Sequence, residues 1–290
     1  MKLIAMAVLL LAATMVLGWF ASPSVGTVAG LPGLVILFAS IFAVQWLGFF
    51  HAWLYNTEHY FDLLGSLSFA GAAIAAWWWS SGGLVATLLL CMVVIWALRL
   101  GSFLFLRIRE VGEDQRFRKI KRSPARFFLV WNLQGLWISL TSSAALTAML
   151  GGVSEPIEIV SIIGVLMWCT GLLFEAMADY QKTQFRRDPA KAQRFIASGL
   201  WSICQHPNYS GEILLWWGVA VTALPTFSGG QWLTLISPIF VVLLLTRISG
   251  IPSLAAKAAR QWGDDPEYQA YVAVTPRLIP RWPTARGASD

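Results

Sequence analysis

Leu84–Leu106 reads "LVATLLLCMVVIWALRLGSFLFL", and the twenty residues that follow, Arg107–Arg126, hold eight Lys or Arg. An apolar run of this length is long enough to cross the roughly 30 Å hydrocarbon layer of a bilayer as an α-helix. A basic flank on such a helix marks the side that stays in the cytoplasm. One stretch therefore predicts both a membrane span and its direction.

The rest of the chain repeats the pattern. Its 290 residues are 57% hydrophobic and 12% charged, with 16 Trp and 17 Phe. Soluble domains carry about 25% charged residues, so this chain has about half the usual share. Apolar runs fall at 3–20, 33–54, 62–79, 84–106, 127–150, 157–180, 209–226 and 231–249. The first follows Met1-Lys2 and reads either as a signal sequence or as a true first helix. The predicted fold is all-α, a polytopic integral membrane bundle of seven to eight transmembrane helices.

Lys and Arg also cluster after the sixth run (Lys182, Arg186, Arg187, Lys191, Arg194) and in the tail (Lys257, Arg260, Arg277, Arg281, Arg286). The loops around 80–83, 151–158 and 227–231 have none. The three basic segments are thus predicted on one side, the cytoplasm, of an inner or plasma membrane. The bilayer is the partner this implies. Basic loops beside membrane spans are poor evidence for nucleic acid, and nothing calls for an obligate protein partner. Cys91, Cys169 and Cys204 have no metal-ligand spacing, and with three His in the chain no metal site is predicted. There is no phosphate-binding loop of the P-loop type and no glycine fingerprint following a strand.

Polar groups at membrane depth are costly and usually line a cavity or meet a partner. In "FEAMADYQKTQFRRD", Glu175, Asp179, Lys182 and Arg186 are spaced by four, three and four, one helical stripe. It reads as a salt-bridged seam between helices or as a ligand-lining face. In "SICQHPNYSGE", Pro207 suits the first turn of a helix. Asn208 and Glu212 then share one face, with Tyr209 between them and His206 at the mouth. Glu212 either faces a ligand or pairs with Arg247. Asp114 and Arg116, in "REVGEDQRF", offer an acid and a guanidinium fork for a ribose and a phosphate. Tyr268 and Tyr271 lie on a short tail helix, which reads alternatively as an amphipathic helix on the headgroups. Together these groups supply bases for phosphates, acids for ribose hydroxyls and an amide for a carboxamide, the needs of a dinucleotide. The amino-terminal half is apolar apart from "YNTEHYFD" (Tyr55–Asp62), and suits a lipid-like or steroid-like substrate.

At "YFDLLGS" (Tyr60–Ser66), "WALRLGSFLFLRIREVGEDQRF" (Trp96–Phe117), "ADYQK" (Ala178–Lys182), "GLWSICQHPNYSGE" (Gly199–Glu212) and "SGIPSL…YQAYVAVTPRLIP" (Ser249–Pro280) the chain resembles the bacterial branch of the membrane steroid 5α-reductase family. The resemblance covers nearly everything beyond about residue 35. It implies NADPH held by the carboxyl-terminal helices, a lipid enclosed by the amino-terminal ones, and reduction of the C=C bond of a conjugated enone. It places Asp179, Arg186, Asn208, Glu212 and Arg247 at cofactor-contacting positions, together with Asp114, Arg116, Lys182, His206, Tyr209, Tyr268 and Tyr271. It matches Glu58 to a glutamate that helps bind the substrate carbonyl. An acid facing an apolar pocket is pushed toward its neutral form and could then donate a hydrogen bond; Tyr55 and Tyr60 are neighbours able to do the same. Gln205 stands where the family usually has Arg, and Trp96 where it has a carbonyl-binding Tyr. The implied organisation is 1–32 as first span and linker, 33–126 as the substrate half and 127–290 as the NADPH half. Isoprenylcysteine carboxyl methyltransferases, which use S-adenosylmethionine, share the "HP-x-Y-x-G" and closing Tyr/Pro patterns and form the rival resemblance.

Overall fold

The computed structural model describes residues 1–23, 26–80, 82–112, 117–152 and 157–281. Its helices are α1 (Lys2–Ala21), α2 (Gly33–Leu54), α3 (Phe61–Trp79), α4 (Leu84–Val111), α5 (Phe117–Ile120), α6 (Pro124–Gly151), α7 (Ile159–Arg187), α8 (Leu200–Ile203), α9 (Pro207–Ala223), α10 (Ile236–Leu243), α11 (Gly250–Trp262) and α12 (Pro266–Val274). A two-residue hairpin, Thr27–Val28 with Leu31–Pro32, precedes α2. Among the described residues, seven helical stretches are long and apolar enough to cross a membrane. The protein is an all-α integral membrane bundle, within the seven to eight spans expected. The run at 209–226 becomes α9, 17 residues that end in a 3₁₀ turn at Leu224–Thr226. At 1.5 Å per residue it rises only about 26 Å. The run at 231–249 is not one α-helix: Gly229–Leu235 is 3₁₀, α10 follows, and Leu244–Ile248 winds as a π-turn.

The chain packs as two compact units, residues 1–165 with 219–237, and residues 166–218 with 238–290. This division differs from the expected halves at 126/127, because α6 packs with the amino-terminal helices.

In the first unit α6 is the spine, packing on α1, α2, α3 and α4. Residues 141–150, "TSSAALTAML", are all buried. Small side chains let neighbouring backbones come close on every side, as membrane helix interfaces require. Polar atoms in this interior are cross-linked. Gln134 Nε2 donates to Gln45 Oε1 (3.1 Å) and to the Phe61 carbonyl (2.9 Å), and Gln45 Nε2 donates to Ser68 Oγ (2.8 Å). Gly65 makes room, since a Cβ there would lie 2.7 Å from Gln134 Nε2. The helix α1 belongs to this packing: Thr147 Oγ1 donates to the Ala21 carbonyl at 3.0 Å, and Gly18 lies against Phe38.

In the second unit α7 and α9 touch backbone to backbone. A Cβ on Gly171 would lie 2.5 Å from Leu215 N, and one on Gly211 would lie 2.6 Å from Glu175 N. The π-turn ends at Ser249, whose N–H reaches the Leu244 carbonyl (2.9 Å), and Gly250 then starts α11.

The glutamine network predicts that Gln134→Leu leaves Gln45 and the Phe61 carbonyl short of a donor. Buried hydrogen bonds between membrane helices are worth about 0.6–1.7 kcal/mol. The variant should melt a few degrees lower in detergent, measured by thermal unfolding of the purified protein, while Gln45→Leu/Gln134→Leu recovers part of the loss.

Candidate functional site

The second unit encloses a cavity of about 350 Å³ beyond the ends of its long helices. The last turns of α7 supply Lys182, Phe185 and Arg186, the α8–α9 junction supplies Trp201, Gln205 and His206, and the segment before α8 supplies Arg194 and Phe195. From α11 come Leu254, Lys257, Ala258, Gln261 and Trp262, a spacing of three, one, three and one that is a single helical face. Tyr268 and Tyr271 enter from α12.

Local hydrogen bonds hold these walls in place. Gly199 takes φ +61°, with the Gln181 side chain 2.6 Å from where a Cβ would stand, and Gln181 Oε1 accepts from Leu200 N at 2.9 Å. Trp201 Nε1 donates to the Ala178 carbonyl (3.1 Å), and Tyr271 Oη donates to the Trp201 carbonyl (2.7 Å). The stretch after α12 runs alongside the "ICQHPNYS" turn. Gln205 N donates to the Pro276 carbonyl (2.9 Å), His206 N to Arg277 (3.1 Å) and Arg281 N to Ile203 (3.0 Å), while Ser210 Oγ donates to Leu278. Gln205, the residue that departs from the resembled family, donates through Nε2 to the carbonyls of Val272 (3.2 Å) and Thr275. It ties the end of α12 to the start of α9. On the open side, Trp262 Nε1 donates to the Gln193 carbonyl (2.8 Å), Phe195 packs on Trp262, Tyr268 and Tyr271, and exposed Arg194 pairs with Glu267 at 2.7 Å.

Among the described residues the lining carries four permanent cations, Lys182, Arg186, Arg194 and Lys257, and no Asp or Glu. Lys182 Nζ sits 4.4 Å above the Trp201 ring, a cation–π contact. Burial first, then the nearby charges of Lys182 and Arg277, push His206 down to about 4, so its imidazole is neutral at pH 7. Burial, with Cys204 and Tyr268 nearby, raises Tyr271 well above the usual phenol range, so it stays protonated. The arrangement can hold an anion and stack flat rings at once.

Of the residues picked from sequence for a cofactor, Lys182, Arg186, His206, Tyr268 and Tyr271 meet at this cavity. Asp114 and Arg116 lie outside the described residues. Asp179 is buried on α7, with Glu175 buried one turn deeper. The four-residue stripe is therefore split, its bases on the cavity and its acids in the helix-packed interior. Asn208 and Glu212 are half-buried on α9, and Tyr209 stacks its ring on His206 at 5.7 Å, but none of the three lines the cavity. Arg247 is exposed on the π-turn and makes no ion pair among the described residues, so the alternative pairing with Glu212 is not formed. Sequence reasoning missed Arg194, Phe195, Trp201, Lys257, Gln261 and Trp262. The period of α11 could have revealed three of them.

The catalytic candidates lie in the first unit. Tyr55 is exposed and rests on the His51 ring at 4.6 Å. Half-buried Tyr60 donates to the Gly48 carbonyl at 3.0 Å and meets His51 Nδ1 at 2.8 Å. Glu58 does not stand alone against an apolar pocket. It is buried and ion-paired with Lys121, because the turn after α2 folds back onto the residues between α5 and α6.

This chain belongs to the family described as "Protein of unknown function (DUF1295)", whose model matches residues 48–275. The match takes in the turn around Glu58 and all described walls of the cavity. No curated protein and no solved structure matches significantly.

His206 gives a pH prediction. With its folded pKa near 4, below the ordinary value of 6.5, the unfolded chain binds more protons between those limits. Stability is then full above about pH 6.5 and falls as pH drops toward 4. His206→Gln should flatten the plot of melting temperature against pH within that window. An unchanged slope would show that His206 is not the titrating group.

Proposed function

We propose that this protein is an integral membrane reductase that binds NADPH in the cation-lined cavity of its second unit and reduces the C=C bond of a conjugated enone in a steroid or similar lipid. The observation that carries the reading is the cavity wall itself: four cations and a shell of aromatic rings around one space, with no carboxylate in the lining among the described residues. A phosphorylated dinucleotide offers anionic oxygens to the first and flat bases to the second. The resemblance to steroid 5α-reductases adds the reaction. When bound, NADPH supplies a hydride for the β-carbon of the enone.

The chain's own residues then have the following work. Arg186, Arg194 and Lys257 hold phosphate oxygens, by guanidinium forks in the two arginines and a point charge in the lysine. Lys182, fixed over Trp201, adds a charge that needs little ordering. Phe195, Trp262 and Tyr268 exclude water and stack a ring. Neutral His206 accepts or donates one hydrogen bond at the mouth of α9. Asn208 and Glu212 on α9 and Asp179 on α7, which do not line the cavity, would be the contacts of a nicotinamide-ribose end reaching past it, as the resemblance implies. The apolar helices of the first unit take the lipid, with the α-carbon receiving its proton from a polar group there or from water. The Lys and Arg of the loops beside the cavity and in the tail support a cytoplasmic side for both, by the positive-inside rule.

S-adenosylmethionine, the ligand of the rival family, carries a sulfonium, an ammonium and a carboxylate, a net positive charge. A wall whose described residues include four cations and no acid favours a polyanionic dinucleotide over it. Two measurements test the reading. Mass spectrometry of the detergent-purified protein should find NADPH or NADP⁺ and no S-adenosylmethionine; the reverse would overturn the assignment. Arg186→Ala and Lys257→Ala should each weaken NADPH, read by quenching of tryptophan fluorescence, on the order of ten- to a hundredfold, the worth of a charge-assisted contact of about 1.5–3 kcal/mol. Wild-type affinity in both would place the cofactor elsewhere.

A further inference from the structure

The Glu58–Lys121 pair raises a chemical difficulty that its geometry resolves. An ionised carboxylate only accepts hydrogen bonds, and so does a carbonyl oxygen. Paired as it is, Glu58 has nothing to offer an enone oxygen on which negative charge grows. Lys121 does. Its ammonium has three donors. Two are committed, one to Glu58 Oε2 and one to the Asn56 carbonyl at 3.2 Å. The third has no partner among the described residues, and the Lys121 side chain is 19% exposed against 1% for Glu58.

The surroundings fix that ammonium in place. Asn56 takes the left-handed conformation, φ 49°, which Asn adopts more readily than most residues. This twist turns the Asn56 carbonyl and the Glu58 carboxylate toward one point. Thr57 N donates to the Ala52 carbonyl (3.0 Å) and Phe61 N to the Glu58 carbonyl (2.9 Å), so the turn is bonded at both ends. On the other side Lys121 N closes on the Phe117 carbonyl (3.0 Å), and buried Phe117 packs on Phe61 at 4.8 Å and on Phe127 at 6.0 Å. Rings and backbone thus hold both halves of the pair in register.

We infer that Lys121, oriented by Glu58 and the Asn56 carbonyl, is the hydrogen-bond donor to a ligand's carbonyl oxygen in the first unit, and that Glu58 is a positioning residue acting through it. The inference rests on the enone-reductase reading. It replaces a neutral acid with a fixed cation, which stabilises a developing oxyanion more strongly than a neutral donor does. Glu58 and the Asn56 carbonyl offset the cost of bringing that cation out of water.

The test uses the full chain in detergent with NADP⁺ and either progesterone or cholest-4-en-3-one, comparing wild type, K121M, K121R and the E58Q/K121M double variant. K121M alone leaves Glu58 buried beside an apolar chain and is expected to lose stability. E58Q/K121M removes both charges and should melt within a few degrees of wild type. Hydrogen bonding to a cation moves the ultraviolet band of an enone to longer wavelength. Wild type and K121R should show that shift on binding. E58Q/K121M should bind the steroid without it and, with NADPH, turn it over at least about tenfold more slowly, a loss of roughly 1.4 kcal/mol or more at the transition state. An unaltered shift and rate in E58Q/K121M would reduce the pair to a clamp between two loops and overturn the inference alone. If wild type neither binds nor reduces either enone, the enone reading itself falls and takes the inference with it, while the NADPH titration of the second unit stands as a separate result.

Discussion

Two glycines let α7 and α9 of the second unit meet backbone to backbone. Gly171 on α7 and Gly211 on α9 leave no room for a methyl group, because each faces the backbone of the other helix. In a bilayer the hydrophobic effect does not drive helices together, so van der Waals contact of this kind carries much of the association. The crossing determines what lies around it. It brings Glu175 and Asp179 on one helix beside Asn208 and Glu212 on the other, and it sets the ends of both helices at one mouth. Lys182, Arg186 and His206 are then neighbours because two backbones touch one to three turns deeper.

Electrostatics at this mouth are sorted by depth. The acids of the α7 stripe are buried and the bases stand at the cavity. Charges of one sign around a space with low-dielectric walls concentrate the field there and draw in ligands of the other sign. The same field, added to burial, keeps His206 neutral. A polar ligand therefore finds permanent cations for its anionic groups and an uncharged imidazole for a directional hydrogen bond.

Much of this was legible in the sequence, for physical reasons. Apolar length and the placement of Lys and Arg are one-dimensional properties, so spans and basic loops could be read directly, and Pro207 starts α9 as its chemistry requires. Five of the residues chosen for a cofactor meet at the cavity: Lys182, Arg186, Tyr268 and Tyr271 lie on helix faces whose period is visible, and His206 directly precedes the helix-starting Pro207. What escaped depends on chain segments meeting across long separations. Nothing in "KAQRF" announces that Phe195 will pack on Trp262, Tyr268 and Tyr271. The ion pair of Glu58 with Lys121, 63 residues apart, has no sequence signal. The π-turn that breaks the run at 231–249 is equally silent, since nothing in "LLTRI" distinguishes a π-turn from the end of a straight helix.

The strand-like stretch beyond α12 has a bearing on how the molecule is made. The turn at Ile203–Ser210 shares its hydrogen bonds with Val272–Arg281, and the separation reaches 78 residues, between Ile203 and Arg281. A chain emerging from the ribosome at about 5–20 residues per second therefore places α7 and α9 in the membrane several seconds before their closing partner exists. During that interval the "ICQHPNYS" backbone must be satisfied by water or by a chaperone. Biogenesis and ligand capture are thereby ordered in time: this site is among the last parts of the protein to acquire its form.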